Sequence, residues 1–478
     1  MRRIKVIGGG LAGPEAALQA ASFGCAVDLY EMRPNRSTEA HQTSDFAELV
    51  CSNSLKSESE NSAPWLLKQE MRRANCFLLE DADSTAVPAG HALAVDRSEF
   101  SARVAARIAA HRRVTVHREE VLHLDEHSDD TLTILATGPL TSAALVEDLQ
   151  RLTGRDHLAF YDSISPIVDA STIDMNKVYL AARWNKGTAD YINCPFTKEE
   201  YDTFLDALAT AEAVETKPWE HLPQAAESGA PTFPSSIETV GSSGQQSIAS
   251  IPQTAPEKLQ YFEGCLPIEE TARRGRDTLR FGPMKPAGLT NPKTGRWPYA
   301  CVQLRQENLR ADSYNLVGFQ NHLKFSEQAR VLRLIPGLEH ATFLRYGQIH
   351  RNTYIHAPSL LSETLQLKQN PSVLIAGQLS GVEGYTESIA SGLLAGRYAA
   401  ALARGEHPAP APRLSANGSL THYITHADHK KFQPANITFD LLPPLEEDLR
   451  RRIRDKKERH RLQCDRALEA WSQWLCEG

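Results

Sequence analysis

The chain has 478 residues, 41% of them hydrophobic and 23% charged, which is a soluble globular composition with room for about two to four domains. It holds no apolar run as long as the roughly 18 residues a membrane span needs, and its formal net charge of −7 argues against bulk nucleic-acid binding but not against a local basic surface. Its eight cysteines, Cys25, Cys51, Cys76, Cys194, Cys265, Cys301, Cys464 and Cys476, form no C-x-x-C pair, so zinc ribbons and dithiol redox motifs are unsupported and no metal site is expected. Met1-Arg2-Arg3 leads straight into a strand without a leader's apolar stretch, so a cytoplasmic location is expected.

The first stretch organises the rest. Ile4 to Ile7 reads as a short strand, Gly8-Gly9-Gly10-Leu11-Ala12-Gly13 follows, and an alanine-rich helix pattern begins at once. Gly8, Gly10 and Gly13 give the G-x-G-x-x-G spacing between strand and helix. Gly8 permits the tight turn, Gly10 admits a pyrophosphate close to the backbone, and Gly13 lets helix and strand pack closely. The helix start attracts phosphate through its unpaired N–H groups and its dipole. A second strand, Ala26 to Tyr30, ends in Glu31, 18 residues after Gly13, where a ribose hydroxyl needs an acceptor. Together these features predict dinucleotide binding.

A polar loop, Met32 to Ser37, precedes Cys51-Ser52-Asn53-Ser54-Leu55-Lys56-Ser57. That segment reads either as cofactor contacts near the glycine turn or as an ordinary polar loop. Trp65 to Leu79 and Ser98 to about Ala110 follow helical spacing, with Ser98 as the expected cap of the second. Val114 to His117 and Thr131 to Leu135 read as strands. The second ends in Ala136-Thr137-Gly138, a turn that recurs beside the glycine loop of flavoproteins and favours FAD over nicotinamide in this domain.

From about Leu158 the pattern changes. Phe160 to Val168 and Lys177 to Arg183 read as strands of a mixed sheet, and Lys198 to about Val214 as a helix. The stretch 223–256 is rich in Ser, Gly, Gln, Ala and Pro without periodicity, and reads as a mobile insertion. Between Leu259 and Asn308, Lys, Arg, Gly and Pro are dense and aromatics are interleaved, which suits an anionic or stacked ligand. Gly318 to about Ile335 should open into a helix, and Phe343 to Tyr354 carries Arg345, Tyr346 and His350. Ser372 to Ala376 is a buried strand ending at Gly377-Gln378, and Gly381-Val382-Glu383-Gly384 turns into a helix from Ile389 to about Leu402. Such a late strand, glycine and helix closes flavin folds, with the helix start toward the cofactor. From Leu449 to Arg461 eight Lys or Arg and two acids suggest one helix, either a solvated face or a contact for nucleic-acid phosphate.

The expected fold is therefore α/β. A Rossmann-like FAD-binding domain comes in two parts, 1–155 and 336–445, interrupted by a smaller α+β insertion domain over 156–335, with a basic helical extension over 446–478.

Several blocks in order carry a resemblance: Gly8 to Gly13, Cys51 to Ser57, Phe262-Glu263-Gly264-Cys265-Leu266-Pro267-Ile268-Glu269, Gly282-Pro283-Met284-Lys285-Pro286, Gln303 to Asn308, Arg345-Tyr346-Gly347 and Ala376 to Tyr385. From residue 1 to about 445 the chain resembles the folate- and FAD-dependent tRNA uracil-5-methyltransferase family. The glycine loop and the Ala-Gly-Gln turn are shared with tRNA wobble-uridine-modifying flavoproteins. The insertion before Phe262 and the basic C-terminal extension depart from the family pattern.

The resemblance implies a glutathione-reductase-like FAD domain, 5,10-methylenetetrahydrofolate as carbon donor, NADH or NADPH as reductant, and a tRNA T-loop uridine methylated at C5. It also implies two functional thiols. Cys265 is expected to attack uracil, because a thiolate is intrinsically nucleophilic and leaves again easily. Cys51 is expected to stand beside the flavin as its partner. Lys285, Arg273, Arg274 and Arg305 are expected phosphate or folate-carboxylate contacts. Gly8, Gly9, Gly10, Leu11, Ala12, Gly13, Glu31, Ala136, Thr137, Gly138, Gly377, Gln378, Glu383 and Gly384 are expected to hold FAD. Alternatives from other classes are a wobble-uridine flavoprotein with a GTPase partner, a flavin oxidoreductase of a small substrate, and a non-enzymatic RNA-binding module.

Overall fold

Five short segments form one parallel sheet, in the spatial order Val373–Ile375, Thr131–Leu135, Arg3–Ile7, Val27–Tyr30, Val114–His117. A computed structural model describes this arrangement for residues 1–38, 40–124, 130–154, 158–185, 188–214 and 266–477. The expected mobile stretch 223–256 and Cys265 lie outside those residues. Val6 pairs with Leu29 on one side and with Ile134 on the other. Successive strand residues face opposite sides of a sheet, and Thr133, Ile134 and Leu135 are all buried, so both faces of the sheet are covered. The last strand pairs with Thr131–Leu135, which brings the final third of the sequence into the same sheet as the first.

The helices Ala12–Ser22 and Tyr385–Ala403 lock that union. A Cβ at Gly392 would lie 2.3 Å from the Ala12 carbonyl oxygen, and one at Gly396 would lie 2.5 Å from that of Ala16. The two backbones meet because glycine and alanine alternate at the crossing.

A second sheet is antiparallel, in the order Tyr179–Leu180, Ile192–Phe196, Ala300–Gln306, Ser313–Leu316, Ile167–Asp169, Phe343–Arg345. Its core is a separate set of buried residues that includes Phe196, Phe204, Met284, Leu304 and Phe319. The helix Lys198–Ala209 packs there, started by a capping box between Thr197 and Glu200. An antiparallel ribbon of Leu158–Ser163 and Ile349–Tyr354 carries the chain out to this sheet and back. A three-stranded sheet, Ser54–Ser57, Ala92–Val95 and Ala86–Val87, follows the Cys51 loop.

The elements depart from the sequence reading where a local pattern spans a tertiary break. Trp65 to Leu79 is two helices, Ala63–Arg73 and Phe77–Ser84, parted at Asn75, whose φ of 55° is left-handed. The helix from Arg97 is capped by Asp96, which accepts from Ser98 N and Glu99 N at 3.1 Å, and not by Ser98. Phe160 to Val168 divides between the ribbon and the second sheet, and so does Phe343 to Tyr354. The return to the first sheet thus follows Arg345, later than residue 336. Strand Lys177 to Arg183 shrinks to Tyr179–Leu180, the helix expected to reach Val214 ends at Ala209, and the one expected from Gly318 occupies only Phe325–Leu332.

The C-terminal expectation needs the largest correction. Leu449 to Arg461 is not one helix. Glu447–Arg452 ends at Ile453, which is extended, and Lys456–Glu477 starts afresh. The second helix buries Cys464, Ala467, Leu468 and Trp471 in the first core, and Trp471 Nε1 donates to the Glu70 carbonyl at 2.7 Å. Those four positions follow i, i+3, i+4, i+7, a helix-face signal downstream of the basic run. Among the described residues no helix is long and apolar enough to cross a membrane.

Candidate FAD and substrate site

A cavity of about 390 Å³ opens at the C-terminal ends of the parallel strands. The glycine turn from Gly8 to Ala12, Glu31, Ala136-Thr137-Gly138, Cys51-Ser52 and the late turn of Gly377, Gln378, Glu383, Gly384 and Tyr385 all line it. That is where ligands bind in doubly wound sheets.

Each glycine of the turn has its own reason. Gly8 has φ +114°, and a Cβ there would sit 2.3 Å from the Ala136 carbonyl oxygen. A Cβ on Gly13 would sit 1.8 Å from the Gly8 carbonyl oxygen, so helix and strand touch. Gly10 has no atom within 4 Å of its missing Cβ. Its bareness serves no protein contact and leaves space on the cavity side.

Glu31 is buried and accepts from Gly9 N at 2.8 Å and from Arg33 N and Nε at 2.9 Å each. Burial alone pushes its pKa up, but hydrogen bonds and charge from Arg33 together with the Gly9 N–H outweigh this and hold the carboxyl below its usual range. Glu31 thus fixes the glycine turn and remains able to accept a ribose hydroxyl, since a carboxylate has about four acceptor sites.

The Cys51 loop is held from three directions. Tyr385 Oη accepts from Cys51 N at 2.7 Å and from Ser52 N at 3.2 Å. Asn53 is fully buried and donates to the Val95 and Gln306 carbonyls at 3.0 and 2.9 Å. Arg97 reaches the Leu49 carbonyl and pairs with Glu307, both at 2.5 Å. Cys51 itself is half-buried. Arg97, Arg345 and Tyr385 are all within electrostatic reach of it. Arg97, bound to the Leu49 carbonyl, thus puts a guanidinium two residues from this cavity-lining thiol in the chain.

The expected basic contacts divide. Arg273, Arg274 and Lys285 are exposed, Arg273 being paired with Glu270. Arg305 differs from these three: it is buried on the strand Ala300–Gln306 and donates to Asn53 Oδ1 and Ser52 Oγ at 2.9 Å each. It binds the Cys51 loop to the second sheet.

Several cavity residues had no role from sequence. Lys56 lines the cavity and donates to Glu387 Oε1 at 2.6 Å and Asn436 Oδ1 at 2.5 Å. Asn352, buried on the return strand, also lines it, and its Oδ1 has no hydrogen-bond partner. An orphaned buried acceptor costs about 1–3 kcal/mol, so it calls for a ligand donor. That orphan, the bare Gly10 and the helix N-termini at Ala12 and Tyr385 fit FAD. Outside the cavity, Glu363, His422 and His426 gather: Glu363 Oε1 lies 3.1 Å from His422 Nδ1 and 3.7 Å from His426 Nδ1 on a half-exposed surface.

Fold and cavity define an α/β dinucleotide-binding protein, and known proteins sharpen this. The family model described as "Glucose inhibited division protein A" matches residues 3–258 and 245–407. Solved Aquifex aeolicus GidA (form I crystal) is similar in fold, with a TM-score of 0.64 at 16% identity over 99% of this chain and 76% of that one. Methylenetetrahydrofolate--tRNA-(uracil-5-)-methyltransferase TrmFO of Koribacter versatilis (strain Ellin345) is 62% identical over 473 residues, 99% of this chain and 98% of its own. The proteins of that name from Solibacter usitatus (strain Ellin6076) and Enterococcus faecalis (strain ATCC 700802 / V583) are 56% and 50% identical over 98% and 99% of this chain. The chain belongs to the TrmFO family of methylenetetrahydrofolate--tRNA-(uracil-5-)-methyltransferases. The Koribacter match covers 99% of the chain, so the likeness extends beyond residue 445 into the C-terminal helices.

Proposed function

We propose that this protein transfers the one-carbon unit of 5,10-methylenetetrahydrofolate to C5 of the T-loop uridine of tRNA, giving 5-methyluridine. The observation that carries the reading is the full-length match to relatives named for that activity, at up to 62% identity, in a chain whose Cys51 lines the dinucleotide cavity.

The transferred carbon is two electrons short of a methyl group, and FAD, when bound and reduced by NADH or NADPH, supplies those electrons. The residues that would hold it are the Gly8 to Gly13 turn, Glu31, Ala136 to Gly138, Asn352 and the Gly377 to Gly384 turn. Uracil C5 is a weak nucleophile. A Cys265 thiolate adding at C6 forms an S–C bond and moves the C5–C6 electron pair to C5, which then bonds to the folate carbon. That attack breaks one of the carbon's two C–N bonds to the folate, and loss of the C5 proton expels tetrahydrofolate as the second breaks. Two electrons and a proton added to the freed carbon then make it a methyl group, while the departing thiolate lets the C5–C6 double bond re-form. Cys51, beside Arg97 and Arg345, assists proton movement or shields the cavity. The target uridine must leave its stacked position to reach these groups.

The test is transfer of labelled carbon from methylenetetrahydrofolate to an unmodified tRNA transcript by wild type, Cys51→Ala and Cys265→Ala. Loss of transfer in both variants is expected, and full transfer by both would contradict the thiol mechanism.

A further inference from the structure

Two tryptophans outside the FAD cavity are held on the surface by a built support. Trp184 is 56% exposed and Trp297 is 50% exposed. Their ring centroids are 5.2 Å apart with planes at 85°. Burial is the default for so large an apolar side chain, so two neighbouring exposed indoles ask for a reason.

The backbone makes the point sharper. Trp184 has φ +61°, a left-handed conformation that bulky residues avoid. It is kept there from below. Trp184 N donates to the Gly288 carbonyl at 2.7 Å. Gly288 has φ +81°, and a Cβ on it would lie 2.7 Å from the Trp184 ring, so only glycine lets the two segments meet. The neighbouring Arg183 donates to the Lys285 carbonyl at 3.0 Å, the Ala287 carbonyl at 2.6 Å and Gln303 Oε1 at 2.8 Å. One arginine is wholly occupied in fixing this turn.

The charge of the segment that carries Trp297 is one-sided. Residues 279–306 include Arg280, Lys285, Lys293, Arg296 and Arg305 and no Asp or Glu, in a chain of net charge −7. Lys285, Lys293 and Arg296 are exposed, Arg296 directly before Trp297 in the chain, and the Lys293 ammonium donates to the Asn176 carbonyl. The place is also connected to the cavity. Gln303, which takes the Arg183 clamp, and Arg305, which holds the Cys51 loop, are alternate residues of one strand. They share a face about 7 Å apart.

We infer that Trp184 and Trp297, with Lys285 and Arg296, form a stacking platform for unpaired bases of the tRNA substrate beside the Cys51 loop. The inference rests on the proposed function for its ligand. The chemistry is that of single-stranded RNA recognition, with aromatic faces for bases and cations for the phosphates between them. Exposed rings flanked by exposed Lys285, Lys293 and Arg296 fit a polyanion with π faces. A second copy of this net-acidic chain fits them only through a local acidic patch.

The test is the dissociation constant for an unmodified tRNA transcript, measured on FAD-loaded wild type, Trp184→Ala, Trp297→Ala, the double alanine variant and Trp184→Phe. Flavin absorbance and melting temperature verify that each variant is folded. Each alanine change is expected to weaken binding about tenfold to a hundredfold, while Trp184→Phe, which retains a stacking face, stays within about threefold of wild type. Unchanged affinity in the folded double variant would overturn the inference. So would a wild-type dimer that the alanine changes dissociate, which would assign the surface to a second copy. Failure of the proposed function reads differently: the wild type would then transfer no folate carbon to the transcript, whatever the tryptophan variants bind.

Discussion

Arg305 donates to Asn53 Oδ1 at 2.9 Å across 252 residues of sequence, and this contact is the seam between the second sheet and the Cys51 loop. Its Nη2 reaches Ser52 Oγ at the same distance. Burial lowers the Arg305 pKa, with Tyr191 and Glu307 acting in the opposite sense.

Arg305→Ala leaves Asn53 and Ser52 without these donors. A loss of about 2–4 kcal/mol in unfolding free energy is expected, measured by denaturant titration. The rate of carbon transfer should fall further than tRNA affinity, because the loop that carries Cys51 loosens. Arg305→Lys should not restore the rate, since a single ammonium does not reproduce a planar fork spanning two acceptors. Full rescue by lysine would show that only the charge matters.

The glycines of the first turn separate fold from ligand. Gly13→Ala places a Cβ 1.8 Å from the Gly8 carbonyl oxygen and should destroy folding, seen as insoluble protein or a collapsed melting temperature. Gly10→Ala meets no protein atom within 4 Å, so the apo protein should melt as wild type does while FAD retention falls steeply. Normal FAD content in Gly10→Ala would place the pyrophosphate elsewhere.

Glu31 gives a signed dependence on pH. Its folded pKa lies below the usual 4.5 despite burial, so its contribution to stability is complete above about pH 4.5 and is lost as pH falls below that. Glu31→Gln should melt below wild type at neutral pH, and the gap should close in the acid range. A gap independent of pH would mean that the Arg33 pairing contributes nothing through charge.

The C-terminal helix is part of the fold. Trp471→Ala removes a fully buried indole and its bond to Glu70, and should cost about 3–5 kcal/mol by denaturant unfolding. A variant as stable as wild type would make this helix the detachable basic arm that its upstream charge suggests.

What the sequence revealed and what it hid divides by range. Gly8 to Gly13, Glu31 and the Gly377 to Gly384 turn were legible because each is a local pattern whose spacing carries its own geometry. The joining of Asn53, Arg97, Glu307 and Arg305 was not: Asn53, Glu307 and Arg305 stood in motif blocks, Arg305 as an anion contact, but only the fold brings loop and sheet together. Cys51 was legible as a motif, but its guanidinium neighbours Arg97 and Arg345 come from distant segments. The charged run from Leu449 drew attention away from Cys464, Ala467, Leu468 and Trp471, whose spacing announced a buried face. The break at Asn75 left no apolar mark, since both helices on either side keep their own periodicity.

The central claim is tested most directly by mapping where labelled carbon from methylenetetrahydrofolate enters an unmodified tRNA, with FAD-loaded wild type and NADH or NADPH as reductant. The account predicts label only in 5-methyluridine of the T loop. Label at the anticodon wobble uridine, or none in the tRNA, would contradict it.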